Sequence, residues 1–197
     1  MTHNVVAKSK NTPRRAATLQ RLFEAAREVF VERGLNGASV EDICSRAGFT
    51  RGAFYSNFKS KDELFIALVK HENERTIDSY KTLIETYKNA EESTHLETFE
   101  DIHALAAQVL LPYRTRLSTM VLELEFQLLA VRTSKYYEKV KEIYDVLLES
   151  ISTLTTELLK AVGRRFTVSP LVASAAFVSA YQRSVLSSLT IINNQNE

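Results

Sequence analysis

The stretch from Ser39 to Lys61, SVEDICSRAGFTRGAFYSNFKSK, constrains this chain more than any other. It reads as two short helices joined by a tight turn and running into the start of a third. Ser39 can cap the first helix, with Asp42 three residues later answering it. Val40, Ile43, Cys44 and Ala47 recur at steps of three and four, so one face is apolar. Gly48 ends that helix by supplying a positive φ. Thr50 can cap the second helix, whose Ala53, Phe54 and Phe58 point inward. Its other face carries Arg51, Gly52, Tyr55, Ser56 and Asn57, which are polar, small or aromatic, with no carboxylate among them. A helix this short does not persist alone. Its outward face suits a DNA major groove, where helix-turn-helix units place their second helix.

The charge distribution agrees with that reading. Residues 1–61 hold eleven Lys/Arg against five Asp/Glu, a net charge of +6. The rest of the chain carries −5, and the whole only +1. A basic N-terminal part on an acidic body fits nucleic-acid binding by that part alone. Hydrophobic residues make up 45% of the 197 positions, enough for a substantial core. Five Gly, three Pro and few alternating apolar runs predict an all-α chain. Cys44 is the single cysteine, which excludes an internal disulfide and suits a reducing compartment. No leader pattern and no run of about 18 apolar residues is present, so a soluble cytoplasmic protein with no membrane partner is expected.

Taken in order, residues 1–13 read as a flexible basic arm. Residues 14–33 form a helix with Leu19, Leu22, Phe23, Ala26, Val29 and Phe30 on one face, punctuated by Gly34 and Gly37. Ser60 and Glu63 make a capping box for a long helix reaching about residue 89. Its apolar residues fall in two groups, Leu64 to Val69 and Ile77 to Tyr87. The polar waist KHENERT between them marks a connector touching two bodies. The expected domains are therefore 14–75, with a helix-turn-helix at about 38–57, and a larger helical body at 76–197.

In that body helices are expected at about 96–111, ended by Pro112, and at about 114–131. The second is apolar on nearly all sides and so predicted to be buried on several. Tyr137, Val140, Tyr144, Leu147, Ile151, Leu154, Leu158 and Ala161 then form a heptad in alternating steps of three and four. A last helix opens at Ser169–Pro170 and mixes bulky and small residues. Two such helices meeting their symmetry copies would form a four-helix dimer interface, using Tyr144, Leu147, Ile151, Leu154, Leu158, Ala176, Ala180 and Leu186.

The run from Thr18 to Leu68, with SVEDICSRAGFTRGAFYSNFKSKDELF at its heart, resembles the TetR/AcrR family of transcriptional regulators. The resemblance implies an N-terminal helix-turn-helix domain, a long connector helix and a larger ligand-binding and dimerisation domain. It implies a homodimer that binds an inverted-repeat operator as a repressor, is released by a small molecule, and needs no cofactor. By position, Thr50 and Arg51 would reach phosphate and base edges, and Gly52 would let the helix sit close. Tyr55 and Lys59 would hold phosphates. Ser39 would offer its hydroxyl to a phosphate, and Lys61 would stand at the root of the connector. Ser56 and Asn57 replace bulkier residues common at their places.

Tyr113, Met120, Phe126 and Tyr181 suit either core or pocket wall, and Glu123, Glu125 and Gln127 either a ligand-facing or a solvated face. The ligand expected of such an apolar body is hydrophobic or amphipathic. The four His (3, 71, 95 and 103) show no metal-ligand spacing. Two other classes remain. One is an architectural DNA binder, or an activator, without small-molecule control. The other is a helical enzyme, for which the sequence offers no convergent titratable set.

Overall fold

A computed structural model describes residues 13–88, 117–180 and 183. Its secondary structure is all helical, and the chain divides into two compact units, Met1–Leu68 and Val69–Glu197. The boundary expected after residue 75 lies further along the same helix.

The first unit holds α1 (Pro13–Gly37), α2 (Val40–Ala47), α3 (Arg51–Tyr55) and the first turns of α4 (Lys61–Lys88). α1 buries Leu22, Ala26, Val29 and Phe30 along one stripe. Its helical backbone breaks at Gly34, with φ 68° and ψ 168°, and Leu35 and Ala38 are then buried. Phe30 meets Phe65 of α4 edge-on at 5.0 Å, and Phe58 lies 6.0 Å from Phe54 and 6.1 Å from Phe23. Burying side chains of this size contributes about 1.5–3 kcal/mol each. Packing, rather than helix propensity, therefore holds a five-residue helix such as α3 in place.

The second unit holds the rest of α4, α5 (Leu117–Arg132), a 3₁₀ turn at Ser134–Tyr136, α6 (Tyr137–Ala161) and α7 at 170–180. Tyr80 and Ile84 of α4 bury against Leu154, Leu158 and Val162, with Ile77, Leu83 and Phe177 packed around them. Phe126 of α5 lies 5.6 Å from the Tyr144 ring. None of the described helices is long and apolar enough to cross a membrane.

Three expectations change here. Ile151, Leu154 and Leu158 are buried in their own chain, at 3%, 9% and 3% exposure, so they have no surface left for a dimer partner. A strict seven-residue repeat drifts about 20° per heptad around a straight helix. The ends of the proposed seam accordingly leave the buried side: Tyr137 is 53% exposed and Ala161 is exposed, while Ile143, outside the repeat, is buried. Finally, α5 is not covered on all sides. Met120, Leu122, Phe126 and Leu129 are buried, whereas Leu124, Leu128 and Val131 are exposed. Of the other interface candidates, Tyr144 and Leu147 are half-buried and Ala176 and Ala180 exposed. Leu186, Tyr113, Tyr181 and the helix expected at 96–111 lie outside the described residues.

Candidate nucleic-acid interface

α2 begins on a closed capping box. The Ser39 N–H and hydroxyl both donate to the Asp42 carboxylate, at 3.1 and 2.6 Å, and the Asp42 N–H donates back to Ser39 Oγ at 3.1 Å. Arg33 adds an ion pair to Asp42 at 2.8 Å. These partners, the Ser39 hydroxyl foremost, hold the Asp42 carboxyl below the usual carboxylate range. The Ser39 hydroxyl expected to meet a phosphate thus has its proton committed to a carboxylate.

Gly48 ends α2 with φ 67° and ψ 36°, its N–H turned to the Cys44 and Ser45 carbonyls. Arg21, reaching from α1, donates to the Ala47 carbonyl at 2.8 Å and lies 4.7 Å from the centre of the Phe49 ring. α1 therefore grips the turn from outside it. Thr50 then caps α3, its Oγ1 accepting from the Ala53 N–H at 3.3 Å. Phe54 is fully buried and Phe58 nearly so, which fixes the rotation of α3. Thr50, Arg51, Gly52 and Tyr55 are left exposed.

Arg51 and Tyr55 are four residues apart on α3, and the guanidinium lies 6.0 Å from the phenol ring centre. Arg51 also pairs with the carboxylate of Glu41 in α2. Tyr55 first, then Glu41, raise the guanidinium above its usual value. The outward face has no carboxylate only when α3 is considered alone; α2 supplies one. Glu41 was not among the residues expected here. Its outward position follows from the apolar spacing of α2, but its meeting with a residue ten positions later depends on how the two helices cross.

Three more expected contacts are spent internally. The Ser56 hydroxyl and the Asn57 amide both donate to the Ala53 carbonyl, at 2.8 and 2.9 Å, and Asn57 also donates to Ser56 Oγ. They close the end of a helix that stops at Tyr55, short of the expected 57. The Lys61 ammonium donates to the carbonyls of Ala38 and Asn36. Lys59 differs. Its backbone N–H goes to Glu63, but its ammonium makes no hydrogen bond or ion pair among the described residues. The face left for a polyanion is thus Thr50, Arg51, Gly52, Tyr55 and Lys59, with Glu41 at its edge.

Residues 22–68 match the model of bacterial regulatory proteins of the tetR family. Those residues belong to the TetR family. The matched span runs from the buried Leu22 of α1 to Leu68 in α4 and encloses Glu41 and the exposed residues from Thr50 to Lys59. The chain is 35% identical over 68 residues to the HTH-type transcriptional regulator UidR of Escherichia coli K12, covering 34% of this chain and 35% of that protein. It is 41% identical over 66 residues to the transposon Tn10 TetC protein of Escherichia coli, covering 34% and 33%. The chain thus spans about a third of the length of the curated relatives it matches. The fold likeness reaches further. The fatty acid degradation regulator FadR of Bacillus halodurans superposes with a TM-score of 0.67 at 20% identity, over 92% of this chain and 86% of that one. FadR of Bacillus subtilis in complex with stearoyl-CoA gives 0.64 at 20%, over 90% and 89%.

In the second unit the expected pocket residues divide. Met120 and Phe126 are buried core. Glu123 and Gln127 are half-buried near Tyr144; burial and the Glu123 carboxylate push that phenol up, against a pull from Gln127. A separate groove of about 140 Å³ opens between α4 and α6, lined by Lys70, Asn73, Glu74, Ile77, Lys139, Glu142, Ile143, Val146 and Leu147.

Proposed function

We propose that the chain is a transcriptional regulator that binds an inverted-repeat DNA operator as a homodimer and is released by a hydrophobic or amphipathic small molecule. The observation that carries the proposal is the division of labour on α3 and the residues that follow it. Phe54 and Phe58 lock one side into the core while Arg51, Tyr55 and the unpartnered ammonium of Lys59 remain outside. A buried anchor with a cationic and aromatic outer face is what a major-groove reader needs. Arg51 is assigned to base edges, since a guanidinium can pair with guanine O6 and N7. Tyr55, Lys59 and Thr50 are assigned to phosphates.

The second unit is assigned ligand binding and dimerisation. Its exposed apolar residues on α5 and α6, among them Leu128, Val131 and Val146, offer surface to a second copy. Glu123 and Gln127, beside Tyr144, offer polar contacts at the edge of an apolar interior. The fold that FadR of Bacillus subtilis uses to hold stearoyl-CoA is one that can enclose an amphipathic ligand. In the dimer the two α3 helices should stand about 34–36 Å apart to enter successive major grooves.

Selection of bound sequences from a random duplex pool tests the reading. A regulator should recover an inverted-repeat consensus and prefer it by about 10³ or more over random duplex. Similar affinity for all duplexes would instead mark an architectural binder. Arg51→Ala should cost about 1–3 kcal/mol on the consensus and relax one base position.

A further inference from the structure

Glu41 is the one acidic side chain that reaches the recognition helix from α2. Its carboxylate pairs with Nη1 of Arg51, and both side chains are more than half exposed. The pair therefore stands in the solvent that a DNA duplex would displace. A guanidinium has five N–H donors in a planar fork. Glu41 accepts at Nη1, and the Tyr55 ring centre stands 6.0 Å from the guanidinium carbon, with its hydroxyl as a further acceptor. The guanidinium is thus held between two neighbours, and two carboxylate oxygens with one phenol oxygen do not exhaust its five donors. The Glu41 charge cancels that of Arg51 locally. A phosphate approaching Arg51 meets the carboxylate as well, whereas neutral guanine, with two acceptors on one edge, does not suffer that repulsion.

We propose that Glu41 is a positioning residue for base readout: it holds Arg51 in the orientation that presents its remaining donors to guanine and withholds it from phosphate. The proposal rests on the reading of α3 as the DNA-reading helix. It makes Glu41 act through Arg51, without itself touching a base. Loss of the carboxylate should therefore tighten binding to DNA in general while blurring selectivity, a combination that simple damage to the domain would not give.

The test uses the full-length protein and the consensus duplex recovered by selection from a random pool. A second set of duplexes carries 7-deazaguanine in place of each guanine in turn, which deletes the N7 acceptor. Wild type should lose about tenfold or more at the guanine that Arg51 reads. In Glu41→Gln that contrast should shrink severalfold. Affinity for random duplex should rise, and the salt slope should steepen by up to about 0.9 per subunit as Arg51 turns to phosphate. Glu41→Asp should restore part of the contrast. In an Arg51→Ala background, Glu41→Gln should leave the residual contrast unchanged. Glu41→Gln with its full 7-deazaguanine contrast, where Arg51→Ala abolishes it, would overturn the role of Glu41 and leave the DNA-reading assignment standing. An Arg51→Ala protein that keeps the whole contrast would overturn both.

Discussion

Lys61 at the root of α4 and Ala38 just beyond α1 are joined by a 2.7 Å hydrogen bond from ammonium to carbonyl. The same ammonium reaches Asn36 at 3.2 Å, so it satisfies two carbonyls that follow the break in α1. Lys59, two residues away, has no such duty. The two lysines should therefore separate by experiment. Lys61→Ala should lower the unfolding free energy by about 1–2 kcal/mol in denaturant titration. Lys59→Ala should leave stability alone and shallow the salt slope of duplex binding by about one unit per subunit. A salt slope that changes for Lys61→Ala and not for Lys59→Ala would reverse the assignment.

Arg21 and Gly48 make the turn between α2 and α3. A Cβ on Gly48 would stand 3.1 Å from Arg21 Nη2, on a backbone already at φ 67°. Gly48→Ala should cost about 1–2 kcal/mol from the backbone conformation, seen as a lower denaturation midpoint. Arg21→Ala frees the space but loses the bond to the Ala47 carbonyl, at about 1 kcal/mol. Because the two changes share a neighbour, their double mutant should cost less than the sum.

Asp42 sets an acid limit on the first unit. Its folded-state pKa is depressed by Ser39 and Arg33, so the folded state takes up a proton less readily than the unfolded chain. The stability this contributes is complete above the usual aspartate value of about 3.9. It is lost as pH falls from there through the depressed folded value. Asp42→Asn should therefore be less stable than wild type at neutral pH, with the difference closing below about pH 4. Denaturation midpoints measured across that range check it, and a gap that stays constant would contradict it.

Ile151 is a core residue of the second unit at 3% exposure. Ile151→Ala should destabilise that unit by about 2–5 kcal/mol and leave the sedimentation of the folded protein unchanged. A well-folded mutant that dissociates on dilution more readily than wild type would return Ile151 to a subunit interface.

The caps show how far local chemistry reaches. Ser39 with Asp42, Gly48, Thr50 and Ser60 with Glu63 all act where the residue types place them, because a cap uses partners within three or four positions. The buried sides of α2 and α3 are equally legible, since Ile43, Cys44 and Ala47 in the one and Phe54 with Phe58 in and after the other recur at helical spacing. Legibility fails where a polar side chain has a choice of partner. Ser56, Asn57 and Lys61 each carry donors fit for a phosphate, yet carbonyls of Ala53, Ala38 and Asn36 take them.

In the second unit the same limit applies to apolar groups. The stripe of α6 shows that something covers it, and not whether that cover is α4 or another subunit. Residue order alone determined the caps and the apolar faces of α1, α2 and α3, because each depends on neighbours a turn apart. Tertiary structure decided that Glu41 meets Arg51, that Lys59 alone of the two lysines stays unspent, and that Leu154 and Leu158 pack on Tyr80 and Ile84. Those pairings depend on how helices cross, and a crossing brings together side chains whose separation along the chain carries no periodic signal.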